Sequence, residues 1–245
     1  MKQIIVLLWT LTLTTIVAAQ EVSPPVQRKN IIKLDVTSNF WYSNAFGISY
    51  ERLTRPNQSF AISVGYQQFP RTSSLGQNIA VKDDRTRNGY KFGGEYRFYL
   101  KKENKYPAPR GLYIGPYFMN HSFTNERVLQ VDNDGTPEEA ILNSKFTILN
   151  LGFQVGYQFV FNNRWTIDLV FVGPSFSHYR YTLELGGDYT FDPEDIQNEI
   201  ILDLLDRFPL LDEAISEQEA TRSGRLDTWA YGYRYQIQIG YHFGK

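Results

Sequence analysis

The sequence predicts an all-β fold: eight antiparallel strands running up and down and closing into a transmembrane barrel, with a helical insertion in the last long loop. Three observations carry this expectation. Across residues 229–243 every odd position is large and apolar or aromatic (Trp229, Tyr231, Tyr233, Tyr235, Ile237, Ile239, Tyr241, Phe243), and Ala230, Gly232, Arg234, Gln236, Gln238, Gly240 and His242 between them are small or polar. Strict alternation marks a strand with two unlike faces. At fifteen positions it outruns the roughly 5–6 residues usual in soluble sheets and covers the about 9–11 needed to cross a bilayer at a tilt. Second, the same pattern recurs along the chain. Third, the connections between its copies alternate between short and long. A narrow eight-stranded barrel has no room for such a row of rings inside, so the rings are expected to face lipid and the small and polar residues the lumen.

In chain order, Lys2, the apolar run 4–17 and the small residues Val17, Ala18 and Ala19 have the layout of an export signal over residues 1–19. Residues 20–30, with Pro24-Pro25, are expected to form an extended leader. The barrel is then expected over 31–243. Its first strand sets Ile32, Leu34 and Val36 against Lys33, Asp35, Thr37 and Asn39, and is expected to end in the aromatic run Phe40-Trp41-Tyr42. The second sets Phe46, Ile48 and Tyr50 against Gly47, Ser49 and Glu51, stopping at Arg55-Pro56-Asn57. The third sets Phe60, Ile62, Val64 and Tyr66 against Ala61, Ser63, Gly65 and Gln67, ahead of a polar loop over 70–88. The fourth opposes Tyr90, Phe92, Gly94, Tyr96, Phe98 and Leu100 to Lys91, Gly93, Glu95, Arg97 and Tyr99. In the fifth, over 111–120, the faces are less distinct because Tyr113 and Tyr117 compete with Leu112, Ile114 and Phe118. A polar loop is expected over 124–144. The sixth strand sets Leu149, Leu151, Phe153, Val155, Tyr157, Phe159 and Phe161 against Asn150, Gly152, Gln154, Gly156 and Gln158. Asn162-Asn163-Arg164 reads as a tight turn, after which Trp165, Ile167, Leu169 and Phe171 oppose Thr166 and Asp168 in the seventh strand.

The short connections (55–57, 101–109, 162–164) would all fall at the end carrying the termini, and the long ones at the other. That sorting is what transmembrane barrels show, with periplasmic turns short and external loops long. Composition agrees. Aromatics make up 16% of the residues, and no apolar run of about 20 residues, the length of a membrane-spanning helix, occurs past the N-terminus. A net charge of −1 without a basic stripe gives no case for nucleic acid. With no cysteine, disulfides and thiolate metal sites are excluded.

With Lys91-Phe92-Gly93-Gly94-Glu95-Tyr96-Arg97-Phe98-Tyr99 and Gly111-Leu112-Tyr113-Ile114-Gly115-Pro116-Tyr117, the chain resembles small outer-membrane β-barrels of the OmpA-transmembrane-domain type, in particular uncharacterised Gram-negative barrel families. The resemblance covers about 31–243 and implies a bacterial outer-membrane location with both termini in the periplasm, and lipid and lipopolysaccharide as surroundings. Its motifs specify architecture and hardly any activity. Such barrels commonly end on an aromatic residue, whereas Gly244-Lys245 follows Phe243 here.

Charges sealed in a narrow lumen must pair, because an uncompensated buried charge costs several kcal/mol. A polar plug is therefore expected, built on Lys33, Asp35, Glu95, Arg97, Asp168 and Arg234. The last long loop, about 186–224, opens a helix at Asp192-Pro193-Glu194 and spaces Ile196, Ile200, Ile201, Leu204 and Leu205 at a helical period. Its ten acidic residues against Arg207 alone between positions 192 and 219 make a candidate docking surface, represented by Ile200, Leu204, Asp203, Asp206 and Glu213, for another envelope protein. Asp132-Asn133-Asp134-Gly135 opens like a calcium loop but lacks its later ligands, so no metal and no cofactor are expected. His121-Ser122 and Ser177-His178 sit where lipid A-modifying barrel enzymes carry a His and a Ser, but the spacing differs and no third member is marked. The expected role is non-catalytic, structural or docking; a lipid A-modifying enzyme and a narrow channel are the alternatives.

Overall fold

In the computed structural model, residues 28–69, 79–133, 135–190, 192, 197, 200 and 225–244 are described. Among the described residues, ten strands and a helical turn follow each other as β1 (Asn30–Asp35), α1 (Ser38–Trp41), β2 (Ser43–Arg55), β3 (Gln58–Gln68), β4 (Ile79–Tyr99), β5 (Gly111–Asn133), β6 (Thr136–Phe161), β7 (Trp165–Val172), β8 (Pro174–Gly186), β9 (Arg225–Tyr233) and β10 (Gln236–Phe243). β7 and β8 are one stave interrupted at Gly173, and β9 and β10 are one stave interrupted at Arg234-Tyr235, so the ten strands form eight staves. Every neighbouring pair is antiparallel, and β1 pairs with both β2 and β10, which closes the ring.

The register fixes the barrel's geometry. Starting at Ile48, the short way round passes Leu34 to reach Ile239. The long way passes Val64, Phe92, Asn120, Leu149 and His178 to reach Trp229. The ten-residue offset between Trp229 and Ile239 is the barrel's shear. With a rise of about 3.3 Å per residue and about 4.8 Å between strands, it tilts eight staves by roughly 40°.

Outward positions at mid-height are apolar and exposed: Ile32, Leu34, Ile62, Val64, Ile114, Leu151, Ile237 and Ile239, with Phe92, Phe118, Phe153 and Phe171 among them. Rings flank them on both sides. Towards the terminal-bearing end lie the ring pairs Tyr50–Phe60, Tyr96–Phe98, Tyr157–Phe159 and Trp165–Tyr241, with centroids 4.5–6.5 Å apart. Towards the far end lie Tyr66–Tyr90 and Phe176–Trp229, with exposed Phe46, Tyr231, Tyr233 and Tyr235. The rings of residues 229–243 face outward, and the polar set between them is buried, including Gln236, Gln238 and His242.

Several expectations change. The loops expected over 70–88 and 124–144 are largely strand: β4 begins at Ile79, and β5 and β6 pair continuously up to Asn133 and Thr136. Phe40-Trp41-Tyr42 does not end a strand. The chain leaves β1 at Asp35 and turns through α1, where the Asp35 carboxylate accepts the N–H groups of Thr37 (3.0 Å) and Ser38 (3.3 Å). Tyr113 and Tyr117 are inward and buried, which settles the two faces of β5. Pairing begins just ahead of residue 31, since Leu53 N–H donates to Lys29 O at 2.8 Å. The tight turn holds: Asn162 and Asn163 adopt φ of 49° and 55°, and Arg164 N–H donates to Phe161 O at 2.9 Å. The helical insertion lies almost wholly outside the described residues, as do the export signal and residues 20–27 of the leader.

The far half carries a core of its own. Ile79, Phe123, Leu129, Val131, Leu142, Phe146, Ile148, Tyr179, Tyr181, Leu183, Ile200, Leu226 and Ala230 pack together inside the extended staves. The polarity of the wall therefore inverts along its height. On β6 the inward positions stay even throughout, yet they change from Leu142, Phe146 and Ile148 to Gln154 and Gln158, and the outward ones change from Asn143 and Lys145 to Leu151 and Phe153.

Candidate functional site

The near half of the lumen is filled by charge. Lys33 on β1 lies 2.5 Å from both Glu51 on β2 and Asp168 on β7. Arg97 on β4 reaches Asp168 at 2.7 Å and Glu51 at 3.3 Å and also pairs with Glu95, while its guanidinium lies over the Tyr113 ring, 4.2 Å from the centroid. Arg234, at the interruption between β9 and β10, joins Glu95 at 2.9 Å. Lys91 pairs with Asp35 and donates to Ser38 Oγ at 2.5 Å. Lys33, Lys91, Arg97 and Arg234 thus balance Asp35, Glu51, Glu95 and Asp168, leaving this network neutral.

Strand alternation and small neighbours build this site. Each member takes an inward position on its stave, and bulk opposite is removed where a long side chain must pass. At Gly47 and Gly65 a Cβ would sit 2.8 and 2.7 Å from Lys91 Cε. The remaining lone pairs find partners: Tyr99 OH and Ser59 Oγ donate to Glu51 (2.8 and 2.6 Å), Tyr113 OH to Asp168 (2.7 Å), and Lys33 Nζ and Arg97 Nη1 to Gln158 Oε1 (2.7 and 3.1 Å). This satisfaction is what makes a buried ion cluster tolerable, since attraction repays desolvation only when geometry and extra hydrogen bonds are good.

All six charges expected in the plug are therefore brought together, in two connected groups. Lys33, Arg97, Asp168, Glu95 and Arg234 form one; Asp35 forms the other with Lys91, and Gln236 Nε2 donates to Asp35 at 3.2 Å while Arg234 donates to Gln236. Sequence reasoning put Tyr99 on the lumen face but left the other two lumen tyrosines, Tyr113 and Tyr117, unassigned. The signal was available: Tyr113 and Tyr117 share the parity of Gly111 and Gly115.

Side chains do not fill the interior throughout: a cavity of about 510 Å³ lies above the charged network and below the far core. Its lining includes Asp35, Ser38, Tyr42, Phe69, Lys91, Tyr117, Met119, His121, Asn150, Tyr233, Arg234, Tyr235 and Gln236. The two interrupted staves meet here: Gly173 O accepts both Arg234 N–H and Tyr117 OH at 2.8 Å.

The two His–Ser pairs are split by the same alternation that builds the plug. His121 lines the cavity and Gln67 Nε2 lies 2.8 Å from its Nδ1. Ser177 is buried, bonded to Asn150 (2.7 Å) and Ser175 (2.9 Å), whereas His178 is outward and 2.5 Å from Asp227. Among the described residues no group of His and acidic side chains of metal-binding size occurs. Asp132 instead caps the β5–β6 turn, its Oδ1 accepting Gly135 N–H at 2.8 Å. Of the candidate docking surface, Ile200 is buried in the far core, and Leu204, Asp203, Asp206 and Glu213 lie outside the described residues.

No curated protein matches the chain. Among solved structures it is similar to a major outer membrane protein from Thermus thermophilus, at 10% identity and a TM-score of 0.34, over 88% of this chain and 98% of that one. That likeness is too distant to carry an argument. The family model described as "Protein of unknown function (DUF3575)" matches residues 4–190, more than half of the sequence, and the chain belongs to that family.

Proposed function

We propose that the protein is a non-catalytic outer-membrane β-barrel, with both termini in the periplasm and its far half standing in the external medium. The observation that carries this reading is the exposed, continuous apolar band wrapped around a lumen of paired charges. In water that arrangement would expose a continuous apolar surface and bury ions for no gain. In a bilayer both halves of it are favourable, since lipid takes the band, interfaces take the rings, and the closed ring leaves no strand edge at the level of the near half. Arg97 and Lys33, bonded across the lumen from β1, β2, β4 and β7, obstruct passage, which favours a structural or docking role over a conducting one. A docking role would rest on the acidic segment around 190–220. Planar-bilayer recording and pull-down test the two parts. Silent membranes and a partner lost on deleting residues 201–220 support the reading. Discrete ion-selective steps would replace it with a channel, and unchanged partners would remove docking.

A further inference from the structure

The cavity above the charged network is bounded by residues that face opposite ways on one stave. Tyr233 and Tyr235 are 46% and 61% exposed on the outer surface, while Arg234 between them points into the lumen, and all three line the same space. A space lined from both sides of a wall passes through it. The register explains the gap. β1 stops at Asp35, opposite Gln238, and its last backbone bond to the closing stave is Val36 N–H to Ile237 O at 3.0 Å. Beyond that point β9 pairs with β8 along one edge, and among the described residues no strand pairs with its other edge. The stave that would have filled the place has turned into α1.

We infer that this cavity is a lateral binding site for a single-chain amphiphile, an acyl chain carrying a carboxylate head, entering from the outer leaflet between β9 and α1. This rests on the membrane reading above. The volume lies within the roughly 300–1,000 Å³ of ordinary ligand sites; it suits one hydrocarbon chain and excludes a two-chain phospholipid. Tyr42, Phe69, Met119, Tyr233 and Tyr235 offer apolar surface to the chain. The polar floor selects the head. Asp35, the one carboxylate of the lining, is saturated: Oδ1 accepts two backbone N–H groups, and Oδ2 accepts Ser38, Lys91 and Gln236. Donors remain. Lys91 gives two of its three N–H groups to Asp35 and Ser38, and the contact from Gln67 to His121 Nδ1 leaves the Nε2–H of that ring. A site with spare donors and committed acceptors takes a head rich in acceptors.

The test uses the purified full chain with a sixteen-carbon acid carrying a mid-chain photoactivatable diazirine, and maps adducts by peptide mass spectrometry. Saturable labelling of peptides containing Tyr42, Met119 or His121, competed by the unlabelled acid, is the expected result. Met119→Trp should abolish it by filling the cavity, and His121→Phe, which keeps the ring and removes the donor, should raise the half-saturating concentration about tenfold. Heat-modifiable gel migration reports whether each variant keeps its barrel; should Met119→Trp lose it, His121→Phe decides. Labels confined to peptides carrying outward residues such as Phe92 or Phe171, or cavity labelling untouched by both variants, would overturn the site. Silent bilayers together with absent labelling would remove the site and leave the membrane reading intact.

Discussion

The near and far halves of the barrel share staves, tilt and alternation, and have opposite insides. Near the termini the interior is ionic and the outside apolar; towards the far end Phe123, Phe146, Leu142 and Tyr181 pack an apolar core beside the largely buried Asp84, Arg87 and Arg127 ion pairs, and Asn143, Lys145 and Arg180 face out. One backbone geometry supports both because it fixes only which residues share a face. Which face is apolar is set by the medium outside. Where lipid covers the wall, polar groups have nowhere to go but the lumen, and where water covers it, burying apolar surface again becomes the driving force. On the membrane reading proposed above, the inversion on β6 between Ile148 and Leu151 marks the level at which the surroundings change.

The largest expected effect comes from the ionic half. Arg97→Ala leaves Glu51, Glu95 and Asp168 without their shared cation and should cost about 5 kcal/mol, because a buried pair broken on one side strands a charge. Urea unfolding in micelles should show it, and a loss below about 1 kcal/mol would mean the lumen is hydrated enough to screen its ions. Phe146→Ala in the far core should cost about 3–4 kcal/mol. Its loss should be local: hydrogen exchange should rise in the far parts of β5, β6 and β8 while protection around Lys33 and Arg97 stays unchanged. A matched pair on the outer face of β6 sharpens the contrast. Leu151→Arg should cost about 2–4 kcal/mol in bilayers, and Asn143→Arg, on the same face in the far half, within about 0.5 kcal/mol. Equal costs would erase the distinction between the halves. Smallest is Asp227→Asn, which removes an exposed partner of His178 and Arg180 and should change stability by less than about 1 kcal/mol, with salt reducing even that.

These halves were unequally legible. In the near half, period-2 alternation held over whole strands except the fifth, where Tyr113 and Tyr117 blurred the faces, so stave number, face and the membership of Lys33, Asp35, Glu95, Arg97, Asp168 and Arg234 in the lumen could be read from residue order alone. The far half defeated the same reading. Its inward residues alternate too, as Leu142, Phe146 and Ile148 show, but the apolar parity switches from even to odd within one unbroken strand. A pattern search takes that switch as the end of an element and calls the polar flank a loop. The cavity was illegible for another reason. It arises where β1 stops early and two staves are interrupted at Gly173 and Arg234, a fact of register around the ring rather than of any one segment.

The inversion is best tested along a single stave. Spin labels placed one at a time at outward positions 143, 145, 147, 149, 151 and 153 of β6 in lipid bilayers should be relaxed mainly by a water-soluble nickel chelate at the first three and by dissolved oxygen at the last three. The crossover should fall between 147 and 149. Nickel accessibility uniform from 143 to 153, or oxygen preference along the whole series, would contradict a barrel that changes its surroundings partway up the wall.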